Sequence, residues 1–128
     1  MTLTWQIVLS LGIGGFLGSI SRVYLNFLIT KHFPYEFPIG ILLINLLGSF
    51  SIGVLFAFFV HYSINESVKA FLTAGFLGAF TTYSTFAIES FFLLETSFFL
   101  GILNMGLNLF GTVISAAAGY KLLFYFLR

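Results

Sequence analysis

Four long apolar stretches, 5–29, 38–60, 67–94 and 98–126, take up most of this 128-residue chain, and the segments between them are short. A bilayer core of about 30 Å is crossed by about 20 helical residues, so each stretch is long enough for one span. The charge content agrees. Only 7% of residues are charged, none of them Asp, and 59% are hydrophobic, whereas a soluble domain carries roughly 25% charged residues to face water. The chain is expected to be an all-α integral membrane protein, one four-helix domain over residues 1–128 with no linker or soluble part.

Several function classes drop out on the same grounds. A formal net charge of +1 offers no basic face to nucleic acid. Without Cys there is neither a disulfide framework nor a thiolate metal site. The opening residues, MTLTWQIVLS, lack the basic region of a signal peptide and run into a helix too long to be one, so they are expected to stay attached. Pro34 and Pro38 bracket the first connection, as suits residues with no backbone N–H. His32 and His61 fall at helix ends with no nucleophile near them in sequence, so no enzyme is indicated.

Glycine and charge placement speak to assembly. Gly14 and Gly18 form a GxxxG pair, and Gly15, Gly75 and Gly78 likewise allow close backbone approach. The stretches GFLGSISRVYL (15–25) and GFLGAFTTYST (75–85) echo each other, read as a coincidence of Leu- and Gly-rich composition ahead of an ancient duplication. If both chain ends share one side, Lys69, Lys121 and Arg128 lie there and Lys31 lies opposite, with Arg22 leaning toward it. That bias in Lys and Arg is weak, and a weak bias permits insertion in both orientations. A four-helix bundle fills its own centre with side chains, so a path through the protein belongs between subunits, and two-fold symmetry is the commonest closure.

Polar residues at membrane depth face protein or a water-filled path. Asn45 stands alone in the apolar run INLLGSF, with Ser49 one turn on. Asn104, Asn108, Thr112 and Ser115 recur at helical spacing in the fourth stretch. Such residues usually glue helices together, but the stripe is longer than glue requires, which favours a lined path. The stretch GFLGAFTTYSTFAIES (75–90) adds four hydroxyls, Thr81, Thr82, Ser84 and Thr85, with Glu89 beyond. The lining is rich in donors and poor in carboxylates, and Tyr83 and Phe86, three apart, could turn positive ring edges toward it. Residue types and spacing reach a small anion or a neutral polar solute and go no further.

Three motifs, GGFLGSISR (14–22), FPIGILLINLLGSFSIG (37–53) and GFLGAFTTYSTF (75–86), resemble those of the Fluc fluoride channels, also called the CrcB family, and the likeness runs along the whole chain. The resemblance implies an antiparallel, dual-topology homodimer in a bacterial inner membrane, with two fluoride pores along the subunit interface and a third helix broken near its middle. It implies that backbone carbonyls of Gly78 and Thr81 hold one structural Na⁺, with Gly75 and Gly78 permitting the break. By the same likeness Tyr83 and Phe86 present ring edges to fluoride and Asn45 donates an N–H. Ser84, Thr85, Asn108, Thr112 and Ser115 supply polar groups beside the pore, and Arg22 and Glu89 are the embedded charges. Two positions depart from the family pattern: Tyr83 stands where Phe is usual, and Ile41 where Thr is common. A small multidrug transporter also has four helices, but it needs a carboxylate in its first span, and this chain has none there. The expected function is passive export of fluoride, an ion that leaves its water only where donors replace it at close range.

Overall fold

The computed structural model describes residues 2–128 and is helical almost throughout. Helices α1 (Trp5–His32) and α2 (Ile39–His61) are uninterrupted. The third crossing is assembled from α3 (Glu66–Ala70), a π-helical segment (Phe71–Leu77), α4 (Gly78–Phe80) and α5 (Tyr83–Thr96). A single helix, α6 (Phe98–Leu127), makes the fourth. All four crossings are long and apolar enough to span a membrane. The chain is a multi-pass membrane protein with a broken third helix.

Short polar side chains mark where most of these helices begin, each accepting one of the N–H groups a first turn leaves open. Thr4 accepts from Ile7 at 3.4 Å, Asn65 from Ser67 at 2.8 Å, Thr82 from Thr85 at 3.2 Å and Ser97 from Leu100 at 3.3 Å. Helix α2 starts behind Pro38 instead. At its far end α1 continues past the apolar stretch to His32, because Thr30 and His32 turn back onto the carbonyls of Asn26 and Leu28, at 2.7 and 2.8 Å. His61 does the same with Ala57 at 2.9 Å.

Helix α2 packs along α6, and α1 packs along the π-helical segment and α4. Ile41, Ile44, Leu77, Phe80 and Phe86 form the apolar core. Ile41 is therefore a packing residue in this chain. Apolar burial does not drive helices together in lipid, so contact depends on how closely backbones can approach. Gly14 shows this directly: a Cβ there would sit 2.5 Å from the Phe71 carbonyl oxygen and 2.9 Å from the Phe76 nitrogen. Gly75 answers from the other side, where a Cβ would lie 3.2 Å from the Gly14 Cα.

The break differs from the sequence expectation in its cause. Gly78 is an ordinary helical residue at φ −62°, ψ −34°, and no described residue has positive φ. The chain leaves the helix at Thr81 (φ −79°, ψ 152°) and Thr82 (φ −144°, ψ 118°), in extended conformations any residue adopts. Gly75 and Gly78 do not make the break; two threonines do, and Gly75 serves helix contact.

Gly14→Ala should lower stability by about 2 kcal/mol, the usual scale of overpacking a tight contact. Thermal unfolding in detergent checks it against Gly12→Ala, where a Cβ meets nothing within 4 Å and no loss is expected.

Candidate functional site

In a continuous helix the carbonyls of Gly78, Ala79 and Thr81 would receive the N–H groups of Thr82, Tyr83 and Thr85. Here the Thr82 N–H donates to Asn45 Oδ1 at 2.9 Å, and the Thr85 N–H to Thr82 Oγ1 at 3.2 Å. The carbonyls of Gly78 and Thr81 thus lose their helical donors. The Ala79 carbonyl accepts instead from Arg22 Nε at 3.1 Å. A guanidinium there sets positive charge against the negative end of the first half of the crossing. Arg22, half-buried, is tied to the break and does not simply reach outward along α1.

Asn45 bridges the break from α2. Its Nδ2 donates to the Thr82 carbonyl at 3.2 Å while its Oδ1 accepts the Thr82 N–H, so one side chain serves both backbone groups of one residue. The second Nδ2 hydrogen goes to Asn108 Oδ1 at 3.0 Å. Asn108 Nδ2 in turn donates to the backbone carbonyl and the Oδ1 of Asn104, both at 3.0 Å, and Asn104 Nδ2 donates to Ser90 Oγ at 2.9 Å. All five residues of this ladder are buried.

A groove of about 290 Å³ brings together Asn45, Tyr83, Phe86, Asn108 and Thr112, drawn from three crossings. Tyr83 and Phe86 stand edge to face, ring centroids 5.3 Å apart at 76°. Phe86 is 8% exposed and belongs to the core, whereas Tyr83 is 79% exposed. Ser84, Thr85 and Ser115 do not line this groove. Ser84 and Thr85 instead cluster around the Thr82 hydroxyl, at 3.4 and 3.0 Å. Gly78 and Thr81 border a neighbouring hollow of about 370 Å³ that also reaches Ser49 and Thr73. Glu89 lies apart, in a hollow of about 500 Å³ with Glu36, and its Oε2 is buried without a partner.

The fourth-stretch stripe divides in two. Asn104 and Asn108 bond inward: every amide hydrogen of Asn108 is bonded inside the protein, and Asn104 does not line the groove that Asn108 borders. Thr112 reaches the groove while its hydroxyl hydrogen returns to its own helix, to Asn108 O or to Leu109 O at 3.2 Å. Of the stripe, the groove takes Asn108 and Thr112 and neither Asn104 nor Ser115. Sequence reasoning passed over Ser90 and gave Thr82 no special part, although both fell inside the hydroxyl-rich stretch. The one available signal was that Asn104 begins the four-residue spacing.

The CrcB-like protein (camphor resistance) family model matches residues 9–120. Among relatives, the fluoride-specific ion channel FluC of Sulfurimonas denitrificans is 44% identical over 98% of this chain and 99% of its own. Proteins of the same name from Campylobacter jejuni and Nautilia profundicola are each 41% identical, over 88% and 89% of this chain and 93% and 91% of theirs.

Replacing Asn45 by Leu keeps the bulk and strips both Thr82 groups of their partner. A buried polar group left unpaired costs about 1–3 kcal/mol, so Asn45→Leu should lower stability by about 2 kcal/mol or more in detergent melts. Ser49→Ala, in the same groove but outside the ladder, should change little.

Proposed function

The chain belongs to the CrcB-like family, and from that premise we propose that it is a fluoride-selective channel, releasing cytoplasmic fluoride by passive electrodiffusion. It is not read as an enzyme. The observation that carries the proposal is likeness over essentially the full chain to a relative named a fluoride-specific ion channel. The groove supplies a chemistry to match. Fluoride holds its water tightly, so a path for it replaces that water with donors and positive ring edges while binding weakly enough to let go.

Within the groove the donors are few. The Ser49 and Tyr83 hydroxyls carry no bond to another described residue, and the Tyr83–Phe86 pair offers ring edges. Asn45 donates to the ion only by exchanging one of its present bonds. The bond to Asn108 is the exchangeable one, because its loss leaves the Thr82 bridge intact. Ser84, Thr85 and Ser115 belong to the polar surroundings of this path in the same proposal, and Glu89 to its mouth.

Assembly completes the reading. Two copies inserted in opposite orientations form a homodimer in the bacterial inner membrane, surrounded by lipid, and the groove of each is closed by its partner into one of two pores. Among the described residues no group of three or more His, Cys, Asp or Glu stands together to hold a metal. The carbonyls of Gly78 and Thr81 lack helical donors and suit a hard cation, so a structural Na⁺ fits there. In the dimer it would receive carbonyls from both chains. When bound, the ion supplies a counter-charge for those carbonyls; Arg22 and Asn45 hold the break around them.

Two measurements test this. Fluoride efflux from liposomes should fall to background in Phe86→Ile and Tyr83→Ile, which remove a ring. It should stay near wild type in Tyr83→Phe, which removes only a hydroxyl; gel filtration checks folding in each case. Wild-type flux through a well-folded Phe86→Ile protein would return Phe86 to packing alone. Separately, exchanging Na⁺ for a large organic cation should weaken efflux or the dimer. Full activity without Na⁺, Li⁺ or K⁺ would remove the central ion from the proposal.

A further inference from the structure

Asn104 is the most buried polar residue described, at 1% exposure, and it stands outside the groove lining. An amide placed so deeply for helix adhesion alone would need only one partner. This one has three bonds within a single ladder: on the side of the break Asn108 Nδ2 donates to its Oδ1 and its backbone carbonyl, and on the far side Ser90 Oγ accepts from its Nδ2. Every amide in the ladder runs the same way, accepting on oxygen and donating from nitrogen, from Thr82 through Asn45 and Asn108 to Ser90. Hydrogen bonds aligned head to tail in a low-dielectric interior polarise one another and act as a unit.

We infer that Asn104 is a positioning residue for the groove, acting through Asn108 on Asn45. Resting on the channel reading above, the inference assigns a role to a residue remote from the ion path. The Asn104 oxygen takes the second hydrogen of the Asn108 amide, which holds both Asn108 hydrogens away from the groove and its oxygen toward Asn45. Without that acceptor, one Asn108 hydrogen has no partner and the amide is free to turn. A turned amide would set its NH₂ against the Asn45 NH₂, donor against donor. Asn45 would then lose the partner from which it exchanges to meet an ion. The effect on conduction arises two residues away from the change.

Isotope-labelled asparagine gives side-chain amide signals from only five residues, Asn26, Asn45, Asn65, Asn104 and Asn108, which substitution assigns one by one. In Asn104→Leu the Asn45 amide signal should move, although no hydrogen bond links the two side chains directly, and fluoride efflux per folded protein should fall about tenfold. Ser90→Ala, a milder change at the end of the ladder, should move the same signal and lower efflux about threefold; it decides the matter if Asn104→Leu does not fold. In an Asn104→Leu background, Ser90→Ala should add nothing, since its effect passes through Asn104. Unchanged efflux in the folded variants, or lowered efflux with the Asn45 signal unmoved, would overturn the positioning role and leave Asn104 as packing. A wild-type protein that carries no fluoride would overturn the channel reading instead, and the Asn45 signal would still report whether the ladder orients it.

Discussion

The amide of Asn45 receives the Thr82 N–H at 2.9 Å and returns a donor to the Thr82 carbonyl at 3.2 Å, and the third crossing is built around that exchange. A chain that leaves the helix at membrane depth exposes groups that hydrocarbon cannot satisfy. Three side chains deal with them in different ways. Asn45 pairs the extended residue on both sides, Thr82 caps the restarted helix through its hydroxyl, and Arg22 takes the carbonyl of Ala79. Each comes from a different crossing, so the break is held only when α1, α2 and the third crossing are already packed. The close contact of Gly14 with the π-helical segment serves the same end, because it brings α1 near enough for Arg22 to reach.

How much of this was legible in the sequence follows from the range of each interaction. Spans are local properties of composition, and the four stretches needed only correction at their ends, where Thr30, His32 and His61 side chains prolong helices by bonding one turn back. The GxxxG pair was equally readable, since the spacing itself places both residues on one face. The break is readable only through family likeness, and its cause differs from what the glycines suggest. Glycines suggest flexible backbone, yet Gly78 is helical and the extended residues are Thr81 and Thr82, the second of them held on both sides by an asparagine 37 positions away. Nothing local announces the π-helical segment, which packs along α1.

The fourth-helix stripe shows where residue type misleads. Asparagine counts as a donor when a sequence is scanned for an anion path, but a donor is available only if no other acceptor has claimed it. Both hydrogens of Asn108 and of Asn45 are bonded within the chain. Spacing puts these residues on one face and says nothing of which atoms face outward. The consequence under the channel reading is a sparsely furnished path, two free hydroxyls and two rings, with one amide that enters by exchange. Sparse donors favour throughput, since an ion held by every available hydrogen would be slow to leave.

The same economy of donors bears on the proposed dimer. Tyr83 is largely exposed, Ser49 has an unbonded hydroxyl, and the carbonyls of Gly78 and Thr81 have lost their helical donors, all on a surface bordering two open hollows. Facing hydrocarbon, every one of these groups is destabilising, and a carbonyl has no hydrogen with which to rescue another. A second chain inserted the opposite way would cover the hollows, but at a two-fold axis it would bring carbonyl against carbonyl, adding repulsion where a donor is wanted. Only a cation turns that juxtaposition into an attraction. The proposed ion and the proposed dimer are therefore one hypothesis: the features that leave carbonyls free at the break make the second chain unfavourable without the ion and the ion poorly coordinated without the second chain.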